Sequence, residues 1–126
     1  MNDNQLEDLS FLDNSSQTLE TLYLYSNKIR GLSTGTRFLK NLRDLQIFDN
    51  QIDSIPDNIS DLKNLEKLDI WNNPIKYISP RITTLTELRN LRLDDDLLTG
   101  AEKENLRSWL PKCDIHFQTR RDKQTH

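Results

Sequence analysis

The sequence predicts an α/β solenoid: an arc with a parallel β-sheet on its concave face, short 3₁₀ or irregular turns on its convex face, and a C-terminal capping helix. Three observations carry this. Four segments, LETLYLYSNKIRGL from Leu19, LRDLQIFDNQIDSI from Leu42, LEKLDIWNNPIKYI from Leu65 and LRNLRLDDDLLTGA from Leu88, start at an unbroken step of 23 residues. Each holds two aliphatics two positions apart, the spacing that puts both on one side of a short strand. The last unit runs into Thr99-Gly100-Ala101-Glu102, a capping-box start, followed by Leu106, Trp109 and Leu110 at helical spacing. No unit this short buries its apolar side alone, so the copies must stack into one continuous core.

Residues 1–18 form a partial N-terminal repeat or cap. Asn4, Leu6 and Leu9 stand 23 before Asn27, Ile29 and Leu32, so the chain opens in the second half of a unit. Leu6, Leu9, Phe11 and Leu12 are expected to lie over the first strand. Residues 19–98 carry the repeats, with strands at the pairs Leu22/Leu24, Leu45/Ile47, Leu68/Ile70 and Leu91/Leu93. Asn27, Asn50 and Asn73 follow the strands where the chain must turn, and an Asn amide satisfies turn backbone groups that would otherwise be buried unpaired. These Asn residues are read as structural. In the fourth unit Asp96 replaces the Asn and Ala101 replaces the final aliphatic.

Pro56 and Pro80 open the return segments, with Ile59, Leu62, Ile82 and Leu85 pointing inward. PDNISDL is short and rich in Asp, Asn and Ser, which favours 3₁₀ turns over helices. The segment GLSTGTRFLKN departs from that pattern with Gly31 and Gly35. Residues 99–117 predict a cap helix, stopped at Pro111, and a last strand holding Ile115 and Phe117. Such an end cover is needed, because a bare terminal repeat exposes core and a strand edge. Residues 118–126 read as a disordered polar tail.

At 126 residues the chain is one domain at most. Its net charge of −3, with 29% charged residues of mixed sign, lacks the basic face that nucleic acid demands. The only basic run is Arg120-Arg121-Asp122-Lys123, in the tail. A single cysteine, Cys113, permits no internal disulfide. MNDNQLEDLS has neither a basic n-region nor an apolar h-region, so it does not read as a signal peptide. No apolar run approaches a membrane span.

The chemistry-bearing residues make no case for an enzyme or a cofactor. Cys113 and His116 form C-x-x-H, but an odd spacing on a strand points them to opposite faces, and further ligands are missing. Cys113 reads better as a buried structural thiol. Asp94-Asp95-Asp96 alternate in direction and do not converge as an oxygen cage must, so a solvated acidic patch is expected. No nucleophile with its base, phosphate loop or dinucleotide fingerprint is present.

The units differ on the concave face. Residues flanking the buried pairs form columns one strand spacing, about 4.8 Å, apart. Glu20, Arg43, Glu66 and Arg89 alternate in sign and suit a ladder of exposed ion pairs. Next come Thr21, Asp44, Lys67 and Asn90, then Tyr23, Gln46, Asp69 and Arg92. The fourth column is Tyr25, Phe48, Trp71 and Asp94. Its aromatics suit two compatible roles: rings stacked to stiffen the solenoid, and exposed anchors for a protein partner. The candidate partner-binding set is therefore Tyr23, Tyr25, Arg43, Asp44, Gln46, Phe48, Lys67, Asp69, Trp71, Arg92 and Asp94, with the three aromatics expected to be partly exposed.

The shared unit L-x-x-L-x-[LI]-x-x-N-x-[IL]-x-x-[LI] resembles the leucine-rich repeat, over residues 4–117. Within that superfamily IPDNISDLKNLEKLDI is similar to the 23-residue type of large bacterial families, notably those of pathogenic leptospires. The closing LTGAEKENLRSWLPKCDIHF is similar to their helix-then-strand ending. The resemblance implies a leucine-rich-repeat arc that recognises a protein, a host protein if the leptospiral likeness holds, in a secreted or surface setting and with virulence as the context. Some bacterial leucine-rich-repeat effectors carry a separate catalytic domain using a cysteine, and here only QTRRDKQTH follows the cap. The alternative is a structural or intracellular scaffold that self-associates. The chain is expected to be a monomer or a weak oligomer.

Overall fold

The computed structural model describes residues 5–119. Its regular elements are β1 (Thr21–Tyr23), β2 (Asp44–Gln46), β3 (Ser54–Ile55), β4 (Lys67–Asp69), β5 (Tyr77–Ile78), β6 (Asn90–Asp94), α1 (Gly100–Trp109) and β7 (Asp114–Gln118). Four 3₁₀ turns, Asn14–Thr18, Thr36–Phe38, Asp57–Asp61 and Pro80–Thr84, run along the other side. The main sheet is parallel throughout, in the order β1-β2-β4-β6-β7. Leu22, Leu45 and Leu68 are register partners of the next strand's Leu, as the 23-residue step requires.

The core is a column of aliphatics. Leu45, Ile47, Leu68, Ile70, Leu91 and Leu93 are at most 2% exposed, and Ile59, Leu62, Ile82 and Leu85 meet them from the 3₁₀ side. Each ladder asparagine is buried and bonds within its own turn: Nδ2 donates to the carbonyls of Leu24 (Asn27), Ile47 (Asn50) and Ile70 (Asn73). Asn50 and Asn73 also reach back one repeat, donating to Leu24 and Ile47 carbonyls while Oδ1 accepts from the amides of Ile29 and Ile52. The residue before each asparagine, Ser26, Asp49 or Asn72, holds a left-handed φ of 58–59°, which turns the chain out of the strand.

The segment around Gly31 and Gly35 resolves into the short turn at Thr36. Gly35 has φ +83°, and a Cβ there would stand 2.2 Å from the carbonyl oxygen of Leu9, so only glycine fits. Thr36 occupies the inward position held by Ile59 and Ile82 in the next units. Its hydroxyl is 1% exposed residue surface but satisfied, donating to Asp61 Oδ2 at 2.9 Å and accepting from Asn58 Nδ2 at 2.8 Å.

Leu9 and Leu12 are buried and Leu6 is half-buried beneath the first repeat. Phe11, expected to join them, is instead 38% exposed, on the exposed side of that turn with Ser10, while Leu9 and Leu12 take the inward-facing directions. Asn4 lies outside the described residues. At the other end Thr99 and Glu102 form the expected capping box, and Leu106 and Leu110 bury against the last repeat. Cys113 is half-buried rather than fully buried. Two features were not legible beforehand. β3 and β5 pair as a second, two-stranded parallel sheet between the turns and the 3₁₀ segments. Gln118, placed at the head of a polar tail, is the last residue of β7, and residues 120–126 lie outside the described residues.

Candidate functional site

Strand alternation delivers the predicted columns to the concave surface. Arg43 stands 3.8 Å from Glu20 and 3.4 Å from Glu66, with all three side chains about half exposed or more. These are the exposed ion pairs of the first column, each worth at most about 1 kcal/mol. Arg89 leaves the ladder and donates to the carbonyls of Thr86 and Leu88. Lys67 is exposed and Asp44 and Gln46 are half-buried. Tyr23, at 43% exposure, directs its hydroxyl toward the Asp44 carboxylate at 3.5 Å.

The aromatic column divides. Tyr25 and Phe48 are half-buried and stacked, with centroids 4.7 Å apart and planes within 3°. Trp71 does not share their exposure. It is 7% exposed, its Nε1 donates to the carbonyl of Thr119 at 3.1 Å, and the Arg92 guanidinium lies 4.5 Å over its ring. The expectation of a partly exposed indole is therefore corrected: Thr119, just past β7, and the next strand's arginine close over it.

Arg92 holds that corner together. It pairs with Asp69 at 2.7 Å and donates from Nε to Gln118 Oε1 at 2.7 Å, while Asp69 Oδ1 accepts from the Trp71 amide. A cation shared between a carboxylate, an amide and an indole face is committed to structure, and its three partners fix its position. Asp94 is likewise 4% exposed, accepting from the Asn72 amide at 2.5 Å. The solvated Asp94-Asp95-Asp96 patch is thus corrected: Asp94 caps the neighbouring turn, Asp95 is half-buried, and Asp96 alone is exposed. Trp71, Asp69, Arg92 and Asp94 form one interlocked corner; Tyr23, Tyr25, Arg43, Asp44, Gln46, Phe48 and Lys67 form the accessible part.

A shallow depression between these parts is lined by Asp44, Gln46, Lys67, Asp69, Asn90, Arg92 and His116. His116 was not foreseen there. A step of 23 from Arg92 points to residue 115, but the cap adds one residue and Arg92 pairs with His116. His116 lies 3.2 Å from Asp114. Cys113 does not line this depression, and burial, then the Asp114 charge, pushes its thiol up to about 11. Among the described residues no three His, Cys, Asp or Glu side chains are grouped to hold a metal ion. Among them, too, no helix is long and apolar enough to cross a membrane.

The leucine-rich-repeat family matches residues 17–75. A leucine-rich-repeat protein of Leptospira interrogans is 37% identical with a TM-score of 0.75, over 79% of this chain and 25% of that one. An internalin of Listeria monocytogenes is 21% identical with a TM-score of 0.61, over 93% of this chain and 40% of that one, and shares the fold. The chain thus spans a quarter of the length of the leptospiral protein. No curated protein sequence matches. With the repeat step, the parallel sheet, the 3₁₀ side and these likenesses in agreement, the chain is a leucine-rich-repeat protein similar to the leptospiral one.

Proposed function

We propose that the concave face recognises a protein partner, without catalysis, through an anchor made of Tyr25, Phe48 and Tyr23. Leucine-rich-repeat solenoids are in general protein-interaction modules. The observation that supports the anchor is the Tyr25–Phe48 stack: two parallel rings, half-open to solvent, with exposed Tyr23 beside them and Arg43, Asp44 and Lys67 around them. Stacked rings lose little freedom on binding, and aromatics ringed by charge are the usual anchors of protein interfaces. The interlocked Trp71 corner supports the anchor from behind instead of touching the partner. The likeness to leptospiral repeat proteins favours a host protein as partner and a secreted or surface setting.

The test is affinity capture with the 126-residue chain beside a Tyr23→Ala/Phe48→Ala variant, followed by oxidative footprinting of the complex formed. The proposal expects one captured protein to disappear with the variant, and Tyr23, Tyr25 and Phe48 to be protected in the parent complex. Capture that survives the double substitution, or protection confined to the convex side, would refute it.

A further inference from the structure

We propose that the groove between β5 and the cap helix α1 docks an extended segment of a protein partner, which adds a strand beside β5 and inserts one large apolar side chain flanked by cations. None of its residues belongs to the concave anchor.

The groove follows from a break in the repeat. A step of 23 from Tyr77 and Ile78 leads to Gly100 and Ala101, where a third strand would join β3 and β5. Thr99 and Glu102 cap a helix there instead. A helix keeps its backbone bonds within itself and offers no strand edge. Among the described residues the two-stranded sheet therefore ends at β5.

That edge carries bonding groups aimed away from its own sheet. Ser79 N donates to Ile55 O, and Ile55 is the register partner of Ile78. In a parallel pair one residue bonds to the two that flank its partner, so Ile55 is the bonded member and Ile78 turns its amide and carbonyl the other way. Among the described residues neither group has a hydrogen-bond partner. An added strand supplies both a carbonyl and an amide; a docked helix supplies neither.

The walls select the side chain. Ile78, Leu98 and Leu106, each at most 8% exposed, line the groove together with Tyr77, 52% exposed, and the half-buried Trp109. The space is about 140 Å³, close to that of an apolar cavity that admits a benzene ring, so one phenyl side chain fills it. Glu102 alone among the lining residues is charged. Its Oε1 accepts from the Thr99 amide at 2.8 Å, so the capping box holds an exposed carboxylate beside the groove. With no cation lining the site, that charge favours Lys or Arg next to the inserted ring.

The test is NMR titration of the 126-residue chain with the end-blocked peptide Lys-Val-Phe-Val-Lys, in which strand alternation sets both lysines on the side of the phenyl. The Ile78 amide and the Trp109 indole should shift together and saturate with a Kd of about 1 mM or below, while Tyr23, Tyr25 and Phe48 stay unmoved. Methylating the backbone nitrogens of the peptide should abolish the shifts. Tyr77→Ala removes an exposed ring and should weaken binding roughly fivefold. Glu102→Gln keeps the capping box and should weaken binding roughly threefold at low salt, a difference that high salt removes. No shift at about 10 mM peptide, shifts confined to the concave face, equal binding of the methylated peptide, or parental affinity at low salt in a folded Tyr77→Ala or Glu102→Gln would overturn the proposal. Shifts of the Ile78 amide that grow with protein concentration before peptide is added would make a second copy the occupant, and would overturn it too.

Discussion

Asn73 ties three stretches of chain together: its amide nitrogen donates to the carbonyls of Ile47 and Ile70, and its oxygen accepts from the amide of Ile52. The residue is 1% exposed, so water cannot replace these bonds. Leaving two or more buried groups unpaired at about 1–3 kcal/mol each, Asn73→Ala should lower the unfolding free energy by about 2–5 kcal/mol, measured by urea titration. Its role was legible because residue type and repeat position together specify it. Trp71 shows the opposite. Its position in the aromatic column was plain, but its burial depends on Arg92 and Thr119, whose approach follows from tertiary placement of the cap. Cys113 allows a separate check. Its thiol rises to about 11 from an ordinary value of 9.0. Below pH 9 the native protein therefore holds roughly a hundredfold less of the thiolate that reacts with iodoacetamide. Alkylation at pH 8 should be much slower in the native than in the urea-unfolded chain, with the gap closing as the pH passes 11.

The cap shows what an element adds to its neighbours. α1 was predictable from Thr99, Glu102 and the spacing of Leu106 and Leu110, because a capping box acts locally. The extra residue between β6 and β7 was not, since it falls where a helix replaces the 3₁₀ turn of the other units and appears only as the pairing of Arg92 with His116. β3 and β5 escaped for a similar reason: two residues each give no periodicity to read. Phe117 is held under the cap by the Lys103 and Arg107 cations, 5.4 and 5.0 Å from its ring. The end of β7 then reaches the concave corner, where Gln118 accepts from Arg92 and Thr119 accepts from Trp71. Deleting residues 118–126 should thus unlock Trp71. In a Trp109→Phe background, acrylamide should quench Trp71 weakly in the full chain and markedly more strongly after the deletion. Equal quenching in both would show that the β7 end does not cover the indole.

For the whole molecule, a 23-residue step fixed the architecture because each unit's apolar pair has nowhere to go but its neighbours'. The same step placed the concave columns, but it could not divide them into an open anchor and a locked corner. That division is the central claim, and it separates two substitutions in one column. Phe48→Ala removes a half-exposed ring, whereas Trp71→Ala empties a buried site that also satisfies Thr119 and faces Arg92. Anchors cost about 2 kcal/mol or more of binding on truncation, and buried aromatics about 3–5 kcal/mol of stability. The decisive measurement is partner affinity by titration calorimetry beside the melting temperature, for both variants. Phe48→Ala should weaken binding at least roughly thirtyfold with a small fall in melting temperature. Trp71→Ala should melt far lower yet bind with parental affinity at a temperature where it is still folded. The reverse pattern, with binding lost in Trp71→Ala and stability lost in Phe48→Ala, would contradict the account.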